Sequence, residues 1–189
     1  LYSSRIDSAN LLKAYCEQNN VQLKSFISAS GINYYGTFTS DQILTEDSGI
    51  IKNDFLAKLC VAWEDAAEQF SAIADRAICL RTAVVLSKNG GAYPQMKKTV
   101  DLNIGSGVGS GKQWMNWIHI DDLVRMYVEA VENSAISGKY NAVADEIPSN
   151  EILMKEMAKT AGKFFLPFNV PSFVMKSVFG EMSSIILKG

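Results

Sequence analysis

Histidine is nearly missing from this chain: 189 residues carry one, His119. A centre built on several imidazoles is therefore excluded, and one imidazole without partners has no catalytic signature of its own. Cysteine is scarce too. Cys16, Cys60 and Cys79 lie far apart in apolar-periodic segments, without the paired spacing of zinc or dithiol chemistry, so no metal is expected. They read as buried free thiols of a reducing, cytoplasmic compartment. A basic surplus is also lacking. Eighteen Lys and Arg against twenty Asp and Glu give a net charge of −2, which offers no field for a phosphate backbone, so nucleic acid is not an expected partner. Nor is there a long apolar run. The most apolar late stretch, FFLPFNVPSFVM, is cut by Pro167 and Pro171 and falls short of the about 20 residues that span a bilayer, so no membrane partner is expected. No signal-peptide pattern opens the sequence.

What remains, 48% hydrophobic and 20% charged, is the make-up of a globular domain with one sizeable core. The stretch LYSSRIDSANLLKAY predicts a helix capped by Ser3 or Ser4, with Ile6, Leu11, Leu12 and Tyr15 on a broad face. KSFISAS has the character of a buried strand that Gly31 ends. From Asn53 or Asp54 to about Ser71 a helix is predicted, with Phe55, Leu59, Trp63, Ala66, Ala67 and Phe70 turned to a core. RAICLRTAVVL again reads as a buried strand. Strand, helix, strand makes one crossover unit, which demands parallel pairing. Beyond it the pattern predicts a short helix around Pro94, a strand over 114–120, a helix from Asp122 to Asn133 capped by Asp121, a strand KYNAVA, and helices over 149–161 and 171–179. The helix after Asp121 has Leu123, Val124, Tyr127, Val128 and Val131 on its apolar face.

The run GSGVGSGKQ invites a phosphate-loop reading, which fails. Ser106 stands where the first glycine belongs, Gln113 where a hydroxyl belongs, and a strand follows instead of a helix. The dinucleotide pattern fails at Ser110. A flexible loop rimming a ligand cleft is the expectation. The neighbouring carboxylates Asp121-Asp122, Glu46-Asp47 and Glu64-Asp65 do not point at one target and read as caps or solvated groups. His119, among tryptophans on a strand, reads first as a structural hydrogen-bonder.

In order and spacing, FISASGINYYG, DFLAKLCVAWEDAA, LRTAVVLSKNGGAYPQM, GSGKQWMNWIHIDDLV and FGEMSSIILKG resemble the epimerase-type atypical branch of the extended short-chain dehydrogenase/reductase superfamily, nucleoside-diphosphate-sugar epimerase-like. The resemblance implies an α/β fold: a partial doubly wound parallel sheet, Rossmann-like, with a smaller, mostly helical substrate domain. Residues 1–86 would be the C-terminal half of the NAD(P)-binding domain, and residues 87–189 the substrate region, partly returning to the sheet. Roughly a hundred residues would precede Leu1, carrying the glycine-rich pyrophosphate site. The implied cofactor is NADP or NAD and the implied partner a small-molecule substrate. Ser30 and Tyr35 are the expected catalytic groups, Ser28, Arg81 and Thr82 the cofactor contacts, and Lys112, Trp114 and His119 the substrate contacts. A homodimer through the helices over 4–18 and 54–71 is also implied.

Two departures qualify the chemistry. Anchored on Glu64, the superfamily's Tyr-x-x-x-Lys pair falls on Leu56 and Cys60, which supply neither its phenol nor its cation. The arginine that grips a sugar nucleotide's diphosphate falls on Met115 or Asn116. The reading is an NAD(P)-dependent epimerase or oxidoreductase of unknown substrate. The alternatives are a catalytically idle dinucleotide-binding sensor or scaffold, and a serine hydrolase using Ser30 and His119 with Asp121 or Asp122.

Overall fold

A single turn of π-helix, Ser3–Asp7, leads into helix α1, Ser8–Gln18. Neither Ser3 nor Ser4 caps it as expected. The helical backbone already begins at Tyr2, and the Ser4 hydroxyl donates back to the Leu1 carbonyl at 3.1 Å. The face expected to be buried is largely exposed, Leu11 and Tyr15 most of all. The core side is Cys16, packed with Phe70 and Ile73 against Ala9, Leu23 and Phe26. The structure, a computed structural model, describes residues 1–180 and 183–188; Glu181, Met182 and Gly189 of the FGEMSSIILKG stretch lie outside the described residues.

Strand β1, Phe26–Gly31, is followed by a 3-10 turn, Ile32–Tyr35. Helix α2, Phe55–Glu68, starts where a carboxylate can hold its orphan donors: Asp54 accepts from the N–H groups of Leu56 and Ala57, each at 3.1 Å. Its core side is Leu59, Cys60, Ala66 and Ala67, while Phe55 stays exposed. Strand β2, Ala77–Thr82, then pairs parallel with β1, and Ile78 and Leu80 are almost fully buried. Each such side chain contributes about 2 kcal/mol.

The expected unbroken strand over 76–86 is two strands. The Ala83 N–H donates to Ala142 O, whereas the Val84 N–H donates to Asn116 O, so the backbone changes partners between them. Strand β3, Val84–Ser87, begins a second sheet with β4, Gly90–Gly91, antiparallel on one side. Helix α3, Ala92–Asp101, has Pro94 in its first turn. Strand β5, Trp117–His119, pairs parallel with β3. It is shorter than expected because Trp114 makes an isolated antiparallel bridge to Ser149 and the Met115 N–H goes to Pro148 O.

Helix α4, Ile120–Glu132, contains Asp121 and Asp122 in its first turn, so Asp121 is not the cap. The helix starts two residues earlier than expected. Leu123 and Ala130 are its buried residues, and Val124, Val128 and Val131 are exposed. Strand β6, Gly138–Ala142, returns parallel to β2 and completes the order β1-β2-β6. Helix α5, Asn150–Thr160, is capped by Ser149, whose hydroxyl accepts from the Ile152 N–H at 3.4 Å. Helices α6, Ser172–Phe179, and α7, Ser183–Lys188, follow.

Contacts divide the chain into two units. One comprises Leu1–Gly36, Ile43–Ala83 and Asp121–Ala142; the other comprises Thr37–Gln42, Val84–Ile120 and Val143–Gly189. The first holds the parallel sheet. The second has its own small core of Val100, Met154 and Ala158 with Met96, Met157 and Phe165. Among the described residues no helix is long and apolar enough to cross a membrane.

Gly36 has φ 99° and ψ 174°, and a Cβ there would stand 2.2 Å from the Lys52 carbonyl oxygen. Gly36→Ala should therefore destabilise the protein by about 2 kcal/mol or more. Gly138→Ala, at φ 92° with nothing within 4 Å, should cost only about 1 kcal/mol. Urea midpoints of the two variants check the difference.

Candidate functional site

Register aligns a row of polar side chains across the parallel sheet. Ser30 on β1 lies beside Arg81 on β2, which lies beside Asn141 on β6. Two residues earlier, Ser28, Cys79 and Lys139 make a second row on the same face. Helix α2 covers this face and lowers Glu64 into it.

Glu64 is the hub. Its Oε1 accepts from the Ser30 hydroxyl at 2.8 Å and from Arg81 Nε at 2.9 Å; its Oε2 accepts from Arg81 Nη2 at 3.0 Å and lies 3.5 Å from Lys139 Nζ. Glu64 and Arg81 are each 1% exposed. The expectation that Glu64 is a cap or a solvated group is thus overturned, and only its neighbour Asp65 is exposed. The pair is a two-pronged fork of parallel hydrogen bonds, which adds geometric precision to the charge attraction.

Arg81 is held on every side. Its Nη1 donates to the Tyr35 hydroxyl at 3.0 Å and reaches the Glu46 carbonyl at 3.4 Å, while the Tyr34 ring lies over the guanidinium with its centroid 3.5 Å away. Burial by itself would weaken the guanidinium's hold on its proton. The hydrogen bonds and charge of Glu64, with Tyr35, outweigh that and raise its pKa further. Tyr35 is 3% exposed, and its hydroxyl lies 2.8 Å from Asn141 Oδ1 and 2.9 Å from the Thr45 carbonyl. Arg81 and Tyr35, expected at the cofactor and at the chemistry, occupy supporting places. All three side-chain nitrogens of Arg81 and the hydroxyl of Tyr35 bond to protein.

Ser30 ends as a directed acceptor. A hydroxyl has one proton, and this one is given to a carboxylate, so toward any ligand Ser30 presents lone pairs. Ser28 donates to the Ala29 carbonyl at 2.9 Å and Thr82 to the Leu80 carbonyl at 3.1 Å, near the carboxyl ends of the same strands. Cys60 packs beneath Gly31, where a Cβ would stand 3.2 Å from its sulfur. Burial pushes its thiol pKa up, and burial with the Glu64 charge pushes that of Cys79 to about 12. Neither thiol is an anion or a cation at neutral pH.

A second cation stands near α2. Arg5, in the π-turn, lays its guanidinium 4.7 Å from the Trp63 ring centroid; Nη1 bonds Leu1 O and Ser4 Oγ, and its buried Nε has no hydrogen-bond partner. Among the described residues no cluster of His, Cys, Asp or Glu suits a metal ion.

Lys112, Trp114 and His119 all belong to the second unit and are exposed, Trp114 donating its ring N–H to Asp41 at 3.2 Å. The glycine run before them is no flexible rim. Gln113, fully buried, donates to the carbonyls of Val108 and Ile186 at 3.0 and 3.1 Å, and the Val108 N–H donates to Asn150 Oδ1 at 2.8 Å. A Cβ on Gly107 would stand 2.3 Å from Asn169 Oδ1, so close packing accounts for that glycine.

Sequence reasoning missed Glu64, Lys139 and Asn141. A period of two along KYN, once β6 is registered on β2, would have found the last two.

Residues 2–143 match the sequence model of the NAD dependent epimerase/dehydratase family. The chain is 34% identical over 194 residues to the epimerase family protein YfhF of Bacillus subtilis, covering 100% of this chain and 61% of that protein. It is 34% identical over 168 residues to the chloroplastic SDR39U1 homolog of Arabidopsis thaliana, covering 86% and 46%. The crystal structure of human epimerase family protein SDR39U1, isoform 2, with NADPH superposes with a TM-score of 0.91 at 29% identity, over 100% of this chain and 63% of that one. The chain thus spans less than two thirds of the length of these relatives.

Arg81→Met leaves the Glu64 charge buried against Ser30 and Lys139 alone and should cost roughly 3–5 kcal/mol. Adding Glu64→Gln should recover a substantial part. Equal midpoints for wild type and Arg81→Met in denaturant titrations would remove the pair from its structural role.

Proposed function

Because the chain belongs to the NAD dependent epimerase/dehydratase family, we propose that it carries the nicotinamide and substrate side of an NAD(P)-dependent epimerase or oxidoreductase whose substrate is a small hydroxylated molecule. One observation carries this reading: Ser30, at the carboxyl end of a parallel sheet, is fixed by Glu64 as an acceptor. Ligands of open α/β sheets lie beyond those strand ends. The human SDR39U1 structure is described with NADPH, which supports NADP(H) or NAD(H) here. The residues present fit such a group, since a buried donor, Arg5 Nε, is left without a partner beside α2.

The bound nicotinamide would accept or return a hydride. Everything else falls to the chain. Ser30 accepts a hydrogen bond from the substrate hydroxyl, so it orients an alcohol rather than polarising a carbonyl. Glu64 and Arg81 hold that orientation, and Tyr35 braces Arg81. Ser28 and Thr82 line the cofactor side. Lys112, Trp114 and His119 supply a cation, a ring and an imidazole for the substrate. Ser30 faces a carboxylate rather than an imidazole, which gives a hydrolase reading no support.

Leu56 and Cys60 favour a second reading, a dinucleotide binder that does not turn over. Three buried free thiols are in keeping with a cytoplasmic protein. A homodimer is proposed through α1 and α2, where Leu11, Tyr15 and Phe55 are 74%, 61% and 55% exposed.

The full-length protein should quench or enhance NADPH fluorescence on titration and, given the oxidised nucleotide, reduce it with a small alcohol substrate. Ser30→Ala should lower turnover about a hundredfold with cofactor affinity kept. Failure to bind either nicotinamide nucleotide removes the reading; binding without turnover across a panel of small alcohols and carbonyls selects the idle one. Sedimentation equilibrium should give a dimer that Leu11→Asp with Tyr15→Asp converts to monomer, and a monomeric wild type would refute the pairing.

A further inference from the structure

We propose that Arg5 supplies the cation missing from the Tyr-x-x-x-Lys face of α2, and that it binds the nicotinamide-side ribose hydroxyls of the cofactor. This rests on the nicotinamide reading above. Leu56, Cys60 and Trp63 lie four and three residues apart along α2 and so share one face. That face is where a lysine would stand at Cys60. Here the position holds a buried thiol packed under Gly31.

The charge arrives from another element. Arg5 projects from the π-turn before α1 and stacks on Trp63, one turn beyond Cys60, at 4.7 Å. A π-turn is an uncommon backbone feature that recurs at functional sites, and it re-aims the side chains it carries. The guanidinium is near enough to Cys60 for its charge to favour the thiolate, though burial wins there.

Its hydrogen bonding is unfinished. Only Nη1 has partners, the Leu1 carbonyl at 3.3 Å and the Ser4 hydroxyl at 3.2 Å. Nε is buried with no partner, and Nη2 has no hydrogen bond among the described residues. Leaving a buried donor unmade costs about 1–3 kcal/mol. No carboxylate forms an ion pair with Arg5 among the described residues, in contrast to Arg81. A guanidinium braced by an aromatic ring, with donors to spare, suits a pair of vicinal hydroxyls, which accept two hydrogen bonds from one planar fork.

The test uses the full-length protein and direct titration with NADPH and, separately, NADH, read by nucleotide fluorescence. Arg5→Met keeps apolar contact with Trp63 and removes the donors, and it should raise Kd about tenfold or more for both nucleotides, with Arg5→Lys recovering part of the loss. Thermal midpoints are measured on the same samples. Three outcomes overturn the assignment: wild-type Kd values retained in Arg5→Met; loss confined to NADPH, which would make Arg5 a contact for the 2′-phosphate; and a fall in thermal midpoint with affinity unchanged, which would make it a structural residue only. If wild-type protein binds neither nucleotide, the nicotinamide reading fails and this inference with it; retained binding in Arg5→Met sinks the inference alone.

Discussion

Everything at the carboxyl end of the parallel sheet depends on one buried ion pair. Glu64 and Arg81 are both shut off from water, and taking two charges out of solvent costs several kcal/mol apiece unless every lone pair and proton is used. Most of them are used. Glu64 accepts from Ser30 and twice from Arg81 and has Lys139 at 3.5 Å; Arg81 Nη1 goes to Tyr35 and the Glu46 carbonyl. Such a network contributes little to net stability against a well-packed apolar alternative. What it supplies is direction, because a carboxylate gripped by a planar fork cannot rotate, and the serine bonded to it cannot either.

The same pair ties a long excursion of the chain to the sheet. Between the 3-10 turn ending at Tyr35 and the cap at Asp54, the backbone returns to this network at Thr45, whose carbonyl meets the Tyr35 hydroxyl, and at Glu46, whose carboxylate accepts the Asn141 N–H at 2.7 Å. That last bond satisfies a backbone donor on β6, at one end of the sheet order. Tyr35 serves both ends of the arrangement: its ring and hydroxyl brace Arg81, and its carbonyl accepts from Ile51 and Lys52. A residue read from sequence as a source of protons is a post in the frame.

The legible part of the fold was the part written in local pattern. Apolar runs bounded by Gly31 and by the Asp54 cap gave β1, α2 and β2 close to their observed limits, since burial and capping act over a few residues. Breaks set by distant partners were not legible. Nothing in RAICLRTAVVL says that Val84 will bond to Asn116 while Ala83 bonds to Ala142. Nor does anything in WEDAAE mark Glu64, which lies seventeen positions before Arg81 and thirty-four after Ser30. The glycine run misled for a related reason. Its glycines answer to Val100, Asn169 and Glu151, neighbours supplied by other parts of the chain, and a rigid close contact leaves the same residue type in sequence as a flexible turn.

Losing the tyrosine and lysine from α2 does not leave this end of the sheet without polarity; it redistributes it. In a Tyr-x-x-x-Lys helix one element brings both the proton and the charge. Here α2 brings a carboxylate that orients a serine from β1, while charge comes from β2 as Arg81, from β6 as Lys139, and from the π-turn as Arg5. Polar groups drawn from five elements are held by their packing rather than by the spacing of one helix. All three side-chain nitrogens of Arg81 are engaged in that holding, and Lys139 is partly so. The guanidinium with donors left over is Arg5, and the oxygen with lone pairs left over is Ser30. One can give hydrogen bonds and the other can accept them.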